Sequence, residues 1–519
     1  MMITILWVDD EIQHLRSHTR YLEKHDFKVL TAHSGQQALD ILRTNQVDII
    51  LMDQMMVGMD GMETVTRIRK NYHVLPIVMV TQSEEEELMD LAIGGEVDDY
   101  LTKPVNPSQI LLVIKRLLMG NRLRTQRAVR EIADQTTRVM DMLSHEMDWR
   151  KWINIYRSWV EKDVDSGGSL SDEMRSVDRN RFSDLELNFS KHVELKYRDW
   201  ISDTGPDSPL MSHNYLERVV VPQMESSDEL VMLVIDCMRY DQWLTMAPIL
   251  EKWFHIETDF MLTVLPSATP YSRNSIFAGL LPRDIWRFYR HKWDENYGES
   301  GLNRYEQYFL TEALRRLGCS RSIQPEYAKI STRREGETLI HSLSKSLKDG
   351  FLTVIVNYID HLTHGRSELD LIRDLAPDVT SFRKLAETWF RSSFLKDFFH
   401  TLAARGATVV ITSDHGSVFS SRETRIKGRG VSGSIRFRFG NSLSADPKAV
   451  IHARNPADWG LPDETPSKSY LFARSDYFMM FQNVPRGEMH KFRNTFQHGG
   501  VSLEEMIVPS IILKPKSMR

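Results

Sequence analysis

The chain has 519 residues, of which 41% are hydrophobic and 26% are charged. This is an ordinary composition for globular protein, and at roughly 100–200 residues per domain it predicts three or four domains. The formal net charge of −5 gives no sign of binding to duplex DNA. The two cysteines, Cys237 and Cys319, make a disulfide framework untenable and favour a reducing compartment. The N-terminus lacks the basic region of a signal peptide, and no apolar run reaches the ~18–20 residues that span a bilayer. We therefore expect a cytoplasmic protein with no membrane span.

Short apolar strands alternate with amphipathic helices over residues 1–120. Alternation of this kind predicts a parallel sheet with helices on both faces. The strands are expected at residues 3–8, 29–32, 48–52, 77–81 and 99–101.

Chemically active side chains stand at the carboxyl ends of these strands. Asp9 and Asp10 follow the first strand, Asp53 ends the third, Thr81 ends the fourth and Lys103 follows the fifth. In an open parallel sheet these positions share the edge where ligands bind. Three carboxylates suit Mg²⁺, and a lysine and a hydroxyl beside them could hold a phosphoryl group on Asp53. Any one of these residues alone would be an ordinary polar residue at the end of a strand, with no functional role.

This pattern resembles the receiver domain of two-component response regulators over about the first 120 residues. The matching segments lie at 5–11, 52–61, 80–81 and 99–104. The resemblance implies a flavodoxin-like, doubly wound fold that is phosphorylated by a sensor histidine kinase. Val57 departs from the family, which usually has proline there, and this should affect loop stiffness rather than chemistry.

The resemblance also assigns roles to individual residues. It makes Asp53 the phosphoacceptor and a Mg²⁺ ligand together with Asp10 and the backbone carbonyl of Met55, while Asp9 acts mostly through water. Thr81 and Lys103 would contact the phosphoryl group, and Tyr100 would be the aromatic switch residue. The bond between Lys103 and Pro104 is a candidate for the cis isomer.

Residues 121–210 change character and predict a small helical bundle. Apolar residues recur at helical spacing from 129 to 143 and again from 149 to 160. Residues 166–169 are expected to form a flexible turn, and residues 203–209 read as a linker. The bundle would join the receiver to a larger α/β domain at 211–519.

In this last region, three apolar strands run towards aspartates. Residues 231–235 lead to Asp236, residues 353–359 to Asp360, and residues 408–413 to Asp414. His364 lies four residues after Asp360, so one helical turn would bring both to the same side.

His415 directly follows Asp414, and His498 lies near the C-terminus. Each histidine alone is more simply a hydrogen-bonded core or surface residue. Together with the aspartates they make six donors, enough for two zinc ions with three protein ligands each. Paired ions are a recurring device for phosphoryl transfer.

Thr269 is the candidate nucleophile. It precedes a proline, which disfavours helical backbone at Thr269, and residues 274–280 can form a helix. Its hydroxyl would thus lie at a strand-to-helix turn, a natural site for an oxyanion. Taken alone it would be an ordinary helix cap; beside a dimetal ligand set we favour the nucleophile.

Residues 225–519 resemble the alkaline phosphatase superfamily and, within it, the PglZ-type branch. The most specific matches are 236–241, 269–273, 360–364, 412–416 and 498–506. The resemblance implies one zinc on Asp236, Asp414 and His415, with Thr269 as the nucleophile beside it. It implies a second zinc on Asp360, His364 and His498.

Two further segments bear on substrate. Residues 422–438 hold six basic residues and three glycines. They are either a mobile surface loop or a segment that binds the phosphates of a substrate. In the second case the substrate-binding residues would be Arg425, Lys427 and Arg429, together with Arg273. Residues 286–309 interleave aromatic and basic side chains, which suits either nucleobase stacking or simple packing and dimer contact.

The order of receiver, helical bundle and PglZ-type domain resembles PorX-type response regulators associated with the type IX secretion system. Our first hypothesis is a zinc-dependent phosphodiesterase acting on cyclic or linear oligonucleotides. The alternative is a signalling scaffold that forms a phosphorylation-dependent homodimer and binds a sigma factor or a secretion-motor component. A monoesterase, sulfatase or mutase on the same metal frame stays open.

Overall fold

The computed structural model describes residues 3–69, 72, 75–81, 97–118, 147–165, 172–203, 205–296, 303–319, 325–347, 350–368, 375–482 and 491–516. The chain forms two compact units, Met1–Arg138 and Val139–Arg519. The predicted helical positions at 129–143 and the predicted turn at 166–169 lie outside the described residues.

The first unit contains a parallel five-stranded sheet in the order β2-β1-β3-β4-β5. Its strands are β1 Ile3–Val8, β2 Phe27–Ala32, β3 Ile49–Asp53, β4 Ile77–Thr81 and β5 Asp99–Thr102. The described helices are Arg16–Glu23, Gly35–Thr44 and Gly61–Arg69, and residues 107–118 are also helical.

This strand order is that of the flavodoxin-like doubly wound fold, so the predicted fold is confirmed. β3 and β4 are buried along their whole length because helices cover both faces of the sheet. Two apolar clusters, one on each face, lie between the sheet and the helices. The bond between Lys103 and Pro104 is cis, as expected.

Two helices, Trp149–Asp165 and Asp172–Ser202, belong to the second unit. Their apolar faces contribute Trp152, Tyr156 and Phe189 to the same core that contains the large sheet. Tyr197, close to the end of the second helix, is 0% exposed.

Among the described residues, no helix combines the length and the apolar character that crossing a membrane requires.

The second unit is built on a six-stranded sheet in the order β7-β18-β10-β6-β9-β8. Its strands are β6 Leu230–Ile235, β7 Phe254–Leu262, β8 Glu326–Ile330, β9 Phe351–Val356, β10 Thr408–Thr412 and β18 Ile507–Pro515. β10, β6, β9 and β8 are parallel, and β18 runs antiparallel to β10 and β7. β6, β9 and β10, which precede the three aspartates, are fully buried.

The helices of this unit that follow the first two are Val221–Ser226, Tyr240–Leu250, Thr269–Ala278, Pro282–Phe288, Arg290–Asn296, Glu306–Arg316, Arg333–Ser346, Tyr358–Glu368, Val379–Ser392, Leu395–Arg405 and Leu503–Met506. A π-helix spans Leu216–Val220. Short 3-10 helices occur at Ser212–Asn214 and Pro456–Trp459 in this unit and at Ile12–Leu15 in the first unit.

A second sheet, in the order β14-β15-β13-β12-β16, departs from the sequence expectation. Its strands are β12 Arg422–Gly433, β13 Phe437–Ser444, β14 Val450–Ala453, β15 Lys468–Ala473 and β16 Tyr477–Phe481. Two short strands, β11 Val418–Ser420 and β17 Thr495–Gln497, pair separately.

The prediction of a mobile loop at 422–438 is therefore wrong, because β12 and β13 form a hairpin. The register shifts between Lys427 and Arg429 and again before Ser432, and Gly430 and Gly433 have positive φ. These glycines accommodate bulges in a paired strand, which is their usual role within a sheet.

The strand predicted at 353–359 is also shorter than expected. β9 ends at Val356, and Asp360 lies in the first turn of the helix Tyr358–Glu368. Ile359, which made the apolar run look continuous, is 0% exposed and packs into the core from the helix.

Candidate metal and phosphoryl-transfer sites

The receiver's acidic residues meet at the carboxyl edge of its sheet. Asp9, Asp10 and Asp53 each offer an oxygen, and these oxygens lie within 4.8 Å of one another. Lys103 Nζ lies 3.2 Å from Asp9 Oδ2 and 3.0 Å from Asp53 Oδ2. The group has the composition of a Mg²⁺ site with a cation beside the acceptor carboxylate.

Burial raises the pKa of Asp53, while the hydrogen bond and charge of Lys103 oppose the rise. Burial acts to lower the pKa of Lys103, but its contacts with Asp53 and Asp9 outweigh this effect and raise that pKa overall. The positive charge of Lys103 beside Asp53 thus favours the ionised carboxylate and counters part of the effect of burial.

The predicted switch residues lie around this group. Thr81 is buried at the end of β4, and its hydroxyl donates to Gln54 Oε1. Tyr100 is 37% exposed on β5, and the side chain of Met55 points to solvent, 70% exposed. Gln54 was not singled out from the sequence.

The six residues predicted as zinc ligands form two groups in the second unit. Asp236, Asp414 and His415 form the first group, and all three are buried. His415 Nε2 lies 3.9 Å from Asp236 Oδ1 and 3.7 Å from Asp414 Oδ2. These separations are close to the ~3.3–3.5 Å that tetrahedral zinc bonds of about 2.0–2.2 Å produce between ligands.

Asp360, His364 and His498 form the second group. Asp360 Oδ1 lies 3.3 Å from His364 Nε2 and 3.7 Å from His498 Nε2. The two imidazole nitrogens are 3.2 Å apart, so all three donors surround one point. The ring of His498 stacks on that of His415 with centroids 4.1 Å apart, which brings the two groups side by side.

Orphaned oxygens indicate that both groups fit metal ions. Asp236 Oδ1, Asp414 Oδ2 and Asp360 Oδ1 are buried and accept no hydrogen bond from the described residues. A buried carboxylate oxygen without a partner is costly unless a cation faces it. Burial, together with neighbouring His415 and His364, holds the pKa of His498 well below its usual range, so its imidazole is neutral and able to bind a metal.

His415 is held in the tautomer that a metal ligand needs. Its Nδ1 lies 3.0 Å from the Gly416 carbonyl oxygen, which can only accept, so Nδ1 carries the hydrogen. Nε2 therefore presents its lone pair towards Asp236 and Asp414.

Thr269 lies beside the first group. Its Oγ1 is 3.0 Å from His415 Nε2, and the residue is partly exposed. The helix Thr269–Ala278 begins at Thr269 itself, earlier than the start predicted at residue 274. Pro270 is the reason, because proline is well tolerated in the first turn of a helix. The hydroxyl thus lies at a helix N-terminus, where negative charge is stabilised.

Arg273 occupies a different place from the one predicted for a substrate-binding residue. It is 2% exposed and donates through Nη1 to Asp236 Oδ2 at 2.6 Å and through Nε to Glu306 Oε1 at 2.7 Å. Glu306 was missed, although a signal was present. It lies on the apolar stripe of its helix with Phe309, Leu310 and Ala313, and a carboxylate on such a stripe requires a partner.

The two N-terminal helices of this unit contact the segments that carry the site. Tyr197 Oη accepts from Leu265 N at 2.8 Å, four residues before Thr269. Glu186 accepts from Leu503 N at 2.9 Å, five residues after His498. A third contact reaches the segment that follows Asp236.

That third contact is a chain of ion pairs that runs from a partly exposed aspartate, Asp163, into the core. Asp163 pairs with Arg383, which donates through Nε to Asp241 Oδ2 at 3.0 Å. Asp241 Oδ1 accepts from Arg239 Nε at 2.8 Å, and Arg239 Nη2 donates to Glu504 at 2.6 Å. Alternating charges of this kind fix the loop after Asp236 against the helix Trp149–Asp165.

The basic residues of the hairpin are divided between solvent and core, and Arg436 is 0% exposed. Lys427 and Arg429 are exposed, and Arg425 donates to the Phe481 carbonyl at 2.8 Å. Ser434, at the turn of the same hairpin, donates to the His498 carbonyl at 3.4 Å. At ~3.3 Å per residue, the chain places Arg429 at most about 16 Å and Lys427 at most about 23 Å from Ser434.

The aromatic segment at 286–309 is divided between core and surface. Trp293 is 2% exposed and packs edge-on against Tyr271 at 5.8 Å. Phe288 and Tyr308 are 69% and 39% exposed, and Lys292 Nζ lies 4.3 Å from the Tyr308 ring centroid.

Comparison with known families accounts for both units. The family model described as the BREX system PglZ alkaline phosphatase-like domain matches residues 215–513, and the response regulator receiver domain matches residues 5–115. The chain belongs to the PglZ family, with a receiver domain at its N-terminus. A receiver domain implies phosphorylation by a sensor kinase.

Individual relatives match through the receiver. The heme response regulator HssR of Staphylococcus epidermidis is 36% identical over 117 residues, 22% of this chain and 52% of that protein. The transcriptional regulatory protein SrrA of Staphylococcus aureus is 36% identical over 114 residues, 22% of this chain and 47% of that protein. The chain spans about half the length of these curated relatives.

Among solved structures, the chemotaxis protein CheY4 of Vibrio cholerae is 29% identical, with a TM-score of 0.22, covering 22% of this chain and 99% of that one. A receiver domain protein from Methanospirillum hungatei is 28% identical, also with a TM-score of 0.22, covering 23% and 96%.

Proposed function

We propose that this PglZ-family response regulator is a zinc-dependent phosphodiesterase whose activity is controlled by phosphorylation of Asp53. The observation that carries the proposal is the pair of adjacent donor groups beside the Thr269 hydroxyl. Asp236, Asp414 and His415 would hold one zinc, and Asp360, His364 and His498 the other. Bound zinc supplies Lewis acidity: it lowers the pKa of a nearby hydroxyl and neutralises charge on phosphoryl oxygens.

Thr269 is the proposed nucleophile. Its Oγ1 forms a bond to phosphorus as the bond to the leaving oxygen breaks, and the hydroxyl proton passes to solvent. The product is a phosphothreonyl ester at the N-terminus of a helix, where the backbone dipole stabilises its negative charge. Water then attacks phosphorus, restores the threonine and releases the remaining phosphate ester.

The surroundings of Arg273 favour a diester over a monoester. A monoester carries two negative charges and gains most from a cation that contacts it directly. Arg273 is the basic residue four positions after Thr269, and carboxylates already occupy its guanidinium through Asp236 and Glu306. We therefore assign it to the ligand carboxylates rather than to substrate.

The basic hairpin favours a substrate with several phosphates. Along the strand, Arg429 lies within about 16 Å and Lys427 within about 23 Å of Ser434, the residue that contacts His498. These spans correspond to roughly five and seven nucleotide steps at ~3.4 Å each. We therefore propose linear or cyclic oligonucleotides as the substrate class, with Arg425, Lys427 and Arg429 binding phosphates away from the bond that is cut.

The receiver supplies the control. Phosphorylation of Asp53, with Mg²⁺ on Asp10, Asp53 and the Met55 carbonyl and with Asp9 acting through water, would reposition Thr81, Tyr100 and Lys103. Homodimerisation on phosphorylation, and the link to type IX secretion through a sigma factor or secretion-motor component, stay predictions that rest on the resemblance to PorX-type regulators.

The decisive experiment measures hydrolysis of bis-p-nitrophenyl phosphate and of short oligonucleotides by zinc-loaded full-length protein. We expect Thr269→Ala to lower turnover at least about 10³-fold at unchanged zinc content, and Thr269→Ser to keep measurable turnover. Full activity in Thr269→Ala would show that another group attacks phosphorus. Absence of turnover in the zinc-loaded wild-type protein, phosphorylated or not, would favour the scaffold.

A further inference from the structure

Arg273 is held by a residue that has no part in the proposed chemistry. Its Nη1 donates to Asp236 Oδ2 at 2.6 Å and lies 3.4 Å from Asn357 Oδ1, while its Nε donates to Glu306 Oε1 at 2.7 Å. One guanidinium therefore bridges an expected metal ligand and a second carboxylate. Arg273 and Asp236 are both 2% exposed, and Glu306 is 0% exposed.

Glu306 is itself fixed from the other side. Its Oε2 accepts a hydrogen bond from the Tyr327 hydroxyl. Glu306 begins the helix Glu306–Arg316, and Tyr327 lies on β8 at the edge of the six-stranded sheet. A continuous chain of contacts thus runs from the sheet edge through Tyr327, Glu306 and Arg273 to Asp236.

This chain decides which oxygen of Asp236 is available to a metal. Oδ2 is occupied by Arg273, and Oδ1 is the buried oxygen that accepts no hydrogen bond from the described residues. An aspartate carboxyl rotates over a broad range when nothing holds it. The planar guanidinium holds it only as long as its own orientation is fixed, and Glu306 fixes it through Nε.

The same contacts set the charge around the first group. Taken at their formal charges, Asp236, Asp414, Glu306 and Arg273 sum to −2, which one divalent cation would neutralise. Arg273 Nη1 lies 3.7 Å from Asp414 Oδ2, so without Glu306 its charge would compete with a bound cation for both ligand carboxylates.

We propose that Glu306 and Tyr327 are positioning residues of the first metal group, which orient Arg273 so that Asp236 presents one oxygen to a divalent cation. The inference rests on the proposed zinc chemistry at that group. Partners of this kind, one step removed from the metal, typically change metal affinity by about 10–100-fold when they are mutated.

The test is zinc binding to full-length protein by competition with a chromophoric chelator, which resolves two ions of different affinity. We expect Glu306→Gln to weaken one ion by about 10–100-fold and to leave the other within about twofold. Tyr327→Phe should weaken the same ion by a smaller factor. Glu387→Gln, in an exposed pair with Arg391, is the matched control and should leave both ions unchanged.

A cobalt-substituted sample adds a spectroscopic readout, because the absorption of one Co²⁺ should change in Glu306→Gln while that of the other is retained. Unchanged affinity for both ions would overturn the inference. Equal weakening of both ions together with a lower melting temperature would also overturn it, because that is the signature of a general packing defect. A wild-type protein that binds no zinc would refute the proposed function, and the inference with it.

Discussion

Both units set a basic side chain against clustered carboxylates, but they do so in opposite ways. In the receiver, Lys103 is 27% exposed and touches Asp9 and Asp53 through a single ammonium group. In the PglZ domain, the side chain of Arg273 is 3% exposed and its guanidinium is held between Asp236 and Glu306.

The difference follows from what each place has to do. A lysine on a flexible stem can leave the carboxylates and follow a phosphoryl group that comes and goes. A buried guanidinium with a carboxylate on each side cannot move without leaving charges unpaired. The arrangement in the receiver thus suits a transient anion, whereas that in the PglZ domain suits a fixed set of ligands.

The largest effect should come from metal removal. Chelation of all divalent ions should lower diester hydrolysis at least about 10³-fold. Restoring Mg²⁺ alone should recover phosphorylation of Asp53 by acetyl phosphate but not hydrolysis, and zinc should recover hydrolysis. Elemental analysis and phosphoprotein gels measure the two outcomes, and hydrolysis restored by Mg²⁺ alone would break the comparison.

The next effect concerns stability. Arg436 and Glu505 form an ion pair in which both side chains are 0% exposed, and Glu505 also accepts from Gly500 N at 2.9 Å. Glu505→Gln leaves a buried cation unpaired and should lower the free energy of unfolding by about 3–5 kcal/mol. Glu63→Gln, in an exposed receiver pair with Arg67, should cost less than about 0.5 kcal/mol. Urea unfolding followed by circular dichroism compares them, and similar losses would contradict the contrast.

A third effect depends on pH. Burial raises the pKa of Glu504 from 4.5 to about 7, against the opposing charge of Arg239. Because the folded-state value is the higher one, the stabilisation is fully present below pH 4.5 and is lost as the pH rises through about 7. We expect the free energy of unfolding to fall by about 3 kcal/mol over this window. Glu504→Gln should flatten the slope, and an unchanged slope would assign the pH dependence elsewhere.

The smallest effect lies in the receiver. The Thr81 hydroxyl donates to Gln54, and this bond must break before Thr81 can reach a phosphoryl group on Asp53. A bond of about 0.5–1.5 kcal/mol predicts that Gln54→Ala speeds phosphorylation by acetyl phosphate about 2–10-fold. Gln36→Ala, on an exposed helix face, is the control. Slower phosphorylation in Gln54→Ala would show that Gln54 assists the reaction.

Local patterns in the sequence were sufficient to predict most of the strands and several of the candidate site residues. The five receiver strands are visible because each is a short apolar run, and four of the five stop at or just before a candidate site residue, as β4 does at Thr81. Two of the six candidate metal ligands were predictable for the same reason, since β6 ends directly before Asp236 and β10 ends two residues before Asp414.

Contacts between residues that are distant in the sequence could not be predicted from local patterns. Glu306 and Tyr327 acquire their place only when a helix and an edge strand fold against Arg273, and no local spacing encodes that. The basic hairpin was misread because its glycines suggest mobility in sequence, whereas Gly430 and Gly433 serve the bulges of a paired strand.

The helices Trp149–Asp165 and Asp172–Ser202 have a consequence for how the PglZ domain can be moved into another protein. The family match begins at residue 215, yet Trp152, Tyr156, Phe189 and Tyr197 upstream of it are at most 2% exposed in the same core. A fragment cut at the family boundary would expose to water the apolar surface that these residues cover, and we expect it to aggregate. The smallest fragment that keeps this core intact therefore starts before Trp149, and a gene fusion that uses the PglZ domain must include the two helices.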